Sequence, residues 1–388
     1  MSDEAIQIRL RRLQNNALIA AAIGLGFCVL GAFLDTKQFF ISYLFAYLFW
    51  LGIALGCLGF LMIHHLTGGR WGFPVRRFYE AATMTLPLMG LLFVPVCFGL
   101  RYLYDWTDPQ AVAADPVLQH RSHYLNTQMF IMRATIFFLL WSAFAMLLNH
   151  LSFSQDRTSD VQPTRCLRAL SGPGLILYPL TATFVFVDWV LSLEPDWHST
   201  MFLVLIVIGQ MLSGLAFSIL FLAWLHRSEP FASIVTSIHF YHLGMLLFAF
   251  VMLWTYMAFS QLLIIYSGNL PTEISWYTHR IAGGWRAVVW FLVLLHFLIP
   301  FSLLLSRSLK RNIYALATVA AVVLFAHVVD TYWLIAPSFY PNGIHFHWLD
   351  LAAPLGVGGI WVAAFAKRLR SHPLLVRNDP RQYSSHEG

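Results

Sequence analysis

Ten apolar runs, most of about 20 residues or more, recur along this chain, and each is long enough to cross a hydrocarbon core of about 30 Å. They fall near 17–34, 41–65, 82–104, 128–151, 172–193, 199–225, 232–265, 281–305, 312–335 and 350–366. Lipid offers no hydrogen-bond partner to a backbone, so such runs must fold as helices that satisfy themselves. Only 11% of the residues are charged, against roughly 25% in soluble domains. The pattern predicts an all-α polytopic membrane protein of about ten transmembrane helices. The first run follows "IRLRRLQNN" and has no small-residue cleavage site before its polar exit at Asp35, so it is expected to remain as a span.

Lys and Arg accumulate in cytoplasmic loops. Lys37, Arg101, Arg121, Arg133, Arg280 and Arg286 fall on or near one side, which leaves 18 of the 24 basic residues on the other, Arg70, Arg307, Lys310, Arg311 and Arg381 among them. Both termini are therefore expected in the cytoplasm, and the net charge of +6 is an orientation signal rather than a nucleic-acid footprint. Cys28, Cys57, Cys97 and Cys166 stand singly, without the spacing of an iron-sulfur or covalent haem site. The outer loop 105–127 reads as a docking surface.

The chain also repeats itself. The fourth run begins "FIMRATIFFLLW" and the eighth "GGWRAVVWFLVLLH"; the fifth ends "FVFVDWVLSLEP" and the ninth "AHVVDTYWLIAP". Each pair matches in order, depth and direction. Helices two to five and six to nine are accordingly expected to form two four-helix bundles, with helices one and ten flanking them. The implied segments are 1–40 for the N-terminal segment and first flanking helix, 41–197 and 198–336 for the bundles, and 337–388 for the tenth helix and tail. Arg and Asp at equal depth on neighbouring helices neutralise each other, which predicts ion pairs Arg133–Asp188 and Arg286–Asp330. Pairs that only fix helix register are the structural alternative.

Ionisable groups at membrane depth cost roughly 2.5–3.5 kcal/mol on insertion scales. The second bundle nevertheless carries "SIHFYHLG", "LVLLHFLIP" and "VLFAHVVDTYWLIAP". His239, His242, His296, His327 and Asp330 read as a ladder for protons, since imidazole and carboxyl groups exchange them near neutral pH, and Arg286, Asp188 and Arg133 of the expected pairs are counted with the same path. Histidines hydrogen-bonded for packing, and a bis-His haem b held by His242 and His296, are the rivals. In the first bundle His64, His65, Glu80 and His150 lie at the inner boundary, where charge costs little, and are secondary candidates for a proton path. Glu194, Asp196, Trp197 and His198 in "SLEPDWHST" form a polar and aromatic outer turn.

Three stretches carry a family resemblance: "SYLFAYLFWLGIALGCLGFLMIHHLTGGRWG" (42–72), "EAATMTLPLMGLLFVPV" (80–96) and "FVDWVLSLEPDWHST" (186–200). Together they resemble the shorter, ActF-type polytopic subunit of bacterial alternative complex III, which belongs with the membrane subunits of the polysulfide-reductase type. The resemblance covers essentially the whole chain. It implies a subunit of the bacterial inner (cytoplasmic) membrane in a quinol:electron acceptor oxidoreductase. Its partners would be a larger homologous membrane subunit, an iron-sulfur protein and c-type haem subunits that hold the clusters and haems. The shorter subunit of this family is often labelled quinone-binding and is proposed to carry protons coupled to quinol oxidation. A non-conducting scaffold of the same complex is the alternative reading. A secondary transporter is the third, although Pro87 and Pro95 of the third run have no counterparts in the seventh.

Overall fold

The computed structural model describes residues 3–380; Arg381, one of the basic residues used for orientation, lies outside them. Ten helices are long and apolar enough to span a membrane: α1 (Glu4–Leu34), α2 (Thr36–Thr67), α3 (Arg76–Phe98), α4 (Thr127–Gln155), α5 (Gln162–Leu193), α6 (Thr200–Leu225), α7 (Ser237–Gly268), α8 (Trp285–Leu304), α9 (Ile313–Phe339) and α10 (Leu349–Arg370). No strand occurs among the described residues. The chain is thus an all-α, multi-pass membrane protein.

Several helices differ from the expected runs; α5, for one, starts at Gln162 rather than near 172. α1 starts at Glu4 rather than near residue 17, because the polar segment ahead of the apolar run is itself helical. α3 occupies Arg76–Phe98 rather than 82–104, and it is broken into short pieces that restart with Pro87 and Pro95 near their first positions. A proline there lacks only an N–H that would be unpaired anyway.

Burial separates central from peripheral helices. Some 94% of the most apolar window of α2 and 83% of that of α6 lies against protein, compared with 22% for α7 and for α8. α2 and α6 approach backbone to backbone: a Cβ on Gly56 would meet the Gln210 carbonyl oxygen at 1.9 Å. Lipid is as apolar as leucine, so helices here associate through close van der Waals fit, which small residues permit. The same device joins α1 to α10, where a Cβ on Gly24 would sit 2.3 Å from the Gly356 nitrogen. α3 and α5 pack on α2, and α4 on α3 and α5; α7 and α9 pack on α6, and α8 on α7 and α9. Between α7 and α8 an additional amphipathic helix, Pro271–Ile281, lies against α9.

Candidate proton-relay site

The first bundle holds one ion pair of the kind its sequence predicts. Arg133 of α4 donates from Nε and Nη2 to the two carboxylate oxygens of Asp188 on α5, at 2.7 and 3.0 Å. Arg133 also donates to the Tyr124 carbonyl and stacks over the Tyr124 ring at 3.9 Å. Asp188 is 1% exposed. Two parallel charge-assisted bonds hold its carboxylate in a single geometry.

The second bundle departs from that prediction. Arg286 is exposed and makes no ion pair with Asp330 or any other described carboxylate. The cause is local: α8 starts only after Gly283, whose φ of +51° ends the preceding segment, so Arg286 falls in the first turn and points outward. The buried cation at this end is instead Arg280, from the amphipathic helix. It donates to Glu194 at 2.6 Å, the Leu334 carbonyl at 2.9 Å and Ser338 at 3.0 Å, and it lies over Trp276. Burial pushes the Arg280 pKa down while Glu194 opposes the shift. Trp197 stacks on Trp276 at 4.6 Å. The outer turn singled out in the sequence therefore clamps the amphipathic helix to the bundle.

Asp330 faces a histidine rather than an arginine. His327 Nδ1 lies 3.4 Å from its Oδ2, within electrostatic reach but outside hydrogen-bond geometry. The His296 ring of α8 lies 5.8 Å from the His327 ring and 4.0 Å from Trp254 of α7. His296 is fully buried and neither ring nitrogen has a partner. It sits in a π-helical turn, Val293–Leu298. Pro300 cannot donate to the His296 carbonyl, which accounts for the widened ladder, and such turns are frequent at functional sites.

Helix α6 supplies the other wall. His327 packs over Gly209, where a Cβ would meet the ring at 2.8 Å. Gln210 next to it accepts from the Tyr178 hydroxyl of α5 at 2.9 Å and leaves its own Nε2 without a partner. Gln210, His327, Asp330 and Thr331 share a cavity of about 30 Å³, room for one or two water molecules. Both bundles thus contribute to one polar junction. Neutral polar residues inside apolar runs gave no charge signal, so Gln210, Tyr178 and Trp254 were not legible beforehand.

The proposed histidine ladder is interrupted. His239 caps its own helix through Thr236, and His242 is half-buried near the same end. His296 touches Trp254, twelve residues after His242, which is roughly 18 Å further along α7. The two histidines are not at matched depth, so they cannot clasp one haem between them; the intervening face of α7 is apolar.

Among the secondary candidates, His64 and His65 are fully buried while His150 is exposed. Glu80 is not at a solvated boundary, as its sequence position suggested, but 1% exposed. It accepts from Arg76 Nε at 2.9 Å, from Arg77 Nη1 at 2.5 Å and from Ser152 Oγ at 2.5 Å. Arg76 also binds Asp379 at 2.7 Å, and Arg77 binds Asp156. This network ties the C-terminal tail to α3 and α4. The alternation of charges pays for burial that snorkelling would otherwise have avoided.

A second cavity, of about 300 Å³, lies on the lipid side of Asp330. Trp254, Gln261, Trp276, Tyr277 and Trp333 line it, and the exposed Phe259 and Leu262 form its rim. Gln261 is 2% exposed and lies beside the Tyr277 hydroxyl, and the Trp254 indole N–H has no partner. Asp330 therefore borders two spaces, a small one shared with Gln210, His327 and Thr331 and a larger, more apolar one. No protein-family model matches this chain, and no curated protein does.

Proposed function

We propose that this chain is a membrane subunit, without a redox group of its own, of a quinol-oxidising electron-transfer complex, and that it relays protons through His296, His327 and Asp330. The relay rests on the contrast between two carboxylates. Asp188 has both carboxylate oxygens occupied by one bidentate guanidinium. Asp330 has an imidazole beside it and a cavity with room for water, the groups from which a proton relay is built. Assignment to such a complex, in the bacterial cytoplasmic membrane with both termini cytoplasmic, rests on the motifs at 42–72, 80–96 and 186–200 together with the distribution of basic residues. Partner subunits would then hold the clusters and haems, and coupling to them would be conformational or electrostatic.

The test is Asp330→Asn and His327→Gln in the intact complex reconstituted into vesicles, with quinol turnover and proton release followed together. Lower proton release per turnover, with assembly intact, is the expected result. Unchanged turnover and proton release in both variants would sink the relay, and a loss of assembly alone would favour the scaffold. The buried Gln261 amide and the unpaired Trp254 indole N–H on the larger cavity support a second reading, in which a quinone headgroup enters it and Asp330 takes the proton from quinol directly. A photoreactive quinone should then label α7, and labelling unaffected by Gln261→Leu would remove this reading.

A further inference from the structure

We propose that the connection between α8 and α9 is a binding site for the phosphate of an anionic phospholipid. This connection is the short helix Arg307–Arg311, "RSLKR", whose first turn is capped by the Ser306 side chain. It brings three cations to one aromatic ring. The Arg307 and Arg311 guanidinium carbons and the Lys310 ammonium each lie 5.6 Å from the Tyr241 centroid on α7. None of the three has a described carboxylate within ion-pair distance, in contrast to the cations of the tail network.

Loop cations of a membrane protein ordinarily extend into water. Lys310 does not: it is 6% exposed. Its stem lies on Gly244, where a Cβ would stand 2.9 Å from the Lys310 Cγ. Its ammonium reaches the Met245 thioether at 3.0 Å and the face of Phe248 at 5.5 Å. A buried ammonium whose only polar contact is a thioether calls for an anion, and two flanking guanidinium forks are suited to phosphate oxygens. The next residues on the lipid-facing surface, Leu303, Leu305 and Met245, are exposed and apolar. A ligand with a phosphate head and acyl tails satisfies both features at once, which free phosphate does not. Basic pockets between helices recognise anionic headgroups in this manner.

The test is native mass spectrometry of the full chain in detergent, titrated with phosphatidylglycerol, phosphatidylcholine or inorganic phosphate. Phosphatidylglycerol should bind in preference to phosphatidylcholine. Lys310→Met should weaken it about fivefold, and Lys310→Met with Arg307→Gln on the order of 25-fold. Equal retention of the two lipids, or binding unmoved by the substitutions, would overturn the site. Displacement of phosphatidylglycerol by inorganic phosphate at comparable concentration would overturn the lipid as its ligand. If Lys310→Met does not fold, Arg307→Gln with Arg311→Gln, both at exposed positions, carries the same test.

Discussion

Replacing Arg133 with Met should destabilise the protein by about 3–5 kcal/mol, the range for breaking a buried pair by removing one partner. Asp188 is 1% exposed and loses both of its guanidinium bonds, of 2.7 and 3.0 Å, while methionine preserves most of the volume of the arginine stem. Arg133→Met with Asp188→Leu removes both charges and should recover most of that loss. Arg286→Met makes the same chemical change at an exposed, unpaired position and should fall within about 0.5 kcal/mol of the parent. Thermal unfolding in a mild detergent measures all three. At roughly 2 °C per kcal/mol for a chain of this length, Arg133→Met should melt about 6–10 °C lower. Equal shifts for Arg133→Met and Arg286→Met, or a double variant as damaged as Arg133→Met, would refute the assignment of the pair.

Gly56→Ala places a methyl group 1.9 Å from the Gln210 carbonyl, so it should force α2 from α6 and cost at least about 3 kcal/mol. Gly26→Ala meets nothing within 4 Å and should be neutral or stabilise by up to about 1 kcal/mol; unfolding of the two side by side checks both. His372 of the tail packs on Phe153, and burial, then Arg368, lowers its pKa from the usual 6.5. Its folded form therefore binds fewer protons than its released form, so tail docking is favoured above pH 6.5 and weakens as pH falls through the lowered value. The protection of residues 371–380 against hydrogen exchange, taken relative to the intrinsic rate at each pH, should fall on acidification, and His372→Gln should abolish that dependence.

Arg133–Asp188 could be read from sequence because both residues lie within regular helices, where position translates directly into depth. The matching inference for Arg286 failed because α8 is preceded by an amphipathic helix and a glycine turn, which replaced Arg286 with Arg280 as the buried cation and Glu194 as its partner. The histidine ladder is interrupted between His242 and His296 because the inner end of α7 runs past that of α8, so that Lys310, in the connection after α8, packs on Gly244 and Met245 next to His242.

The ten apolar runs, by themselves, determined that this chain folds as a helical membrane protein, because a backbone in lipid must satisfy its own hydrogen bonds. They also marked His327 and Asp330 as residues that need an explanation, because charge at membrane depth is costly. Only the tertiary structure decided what surrounds that pair. Gly56 brings α2 against α6, Gly209 lets His327 of α9 lie on α6, Gln210 and Tyr178 close the small cavity, and Gln261 and Trp254 open onto the larger one. Those residues are neutral and lie in unremarkable apolar stretches. Their roles arise from which faces of separate helices meet, and that is fixed by packing rather than by any local pattern in the chain.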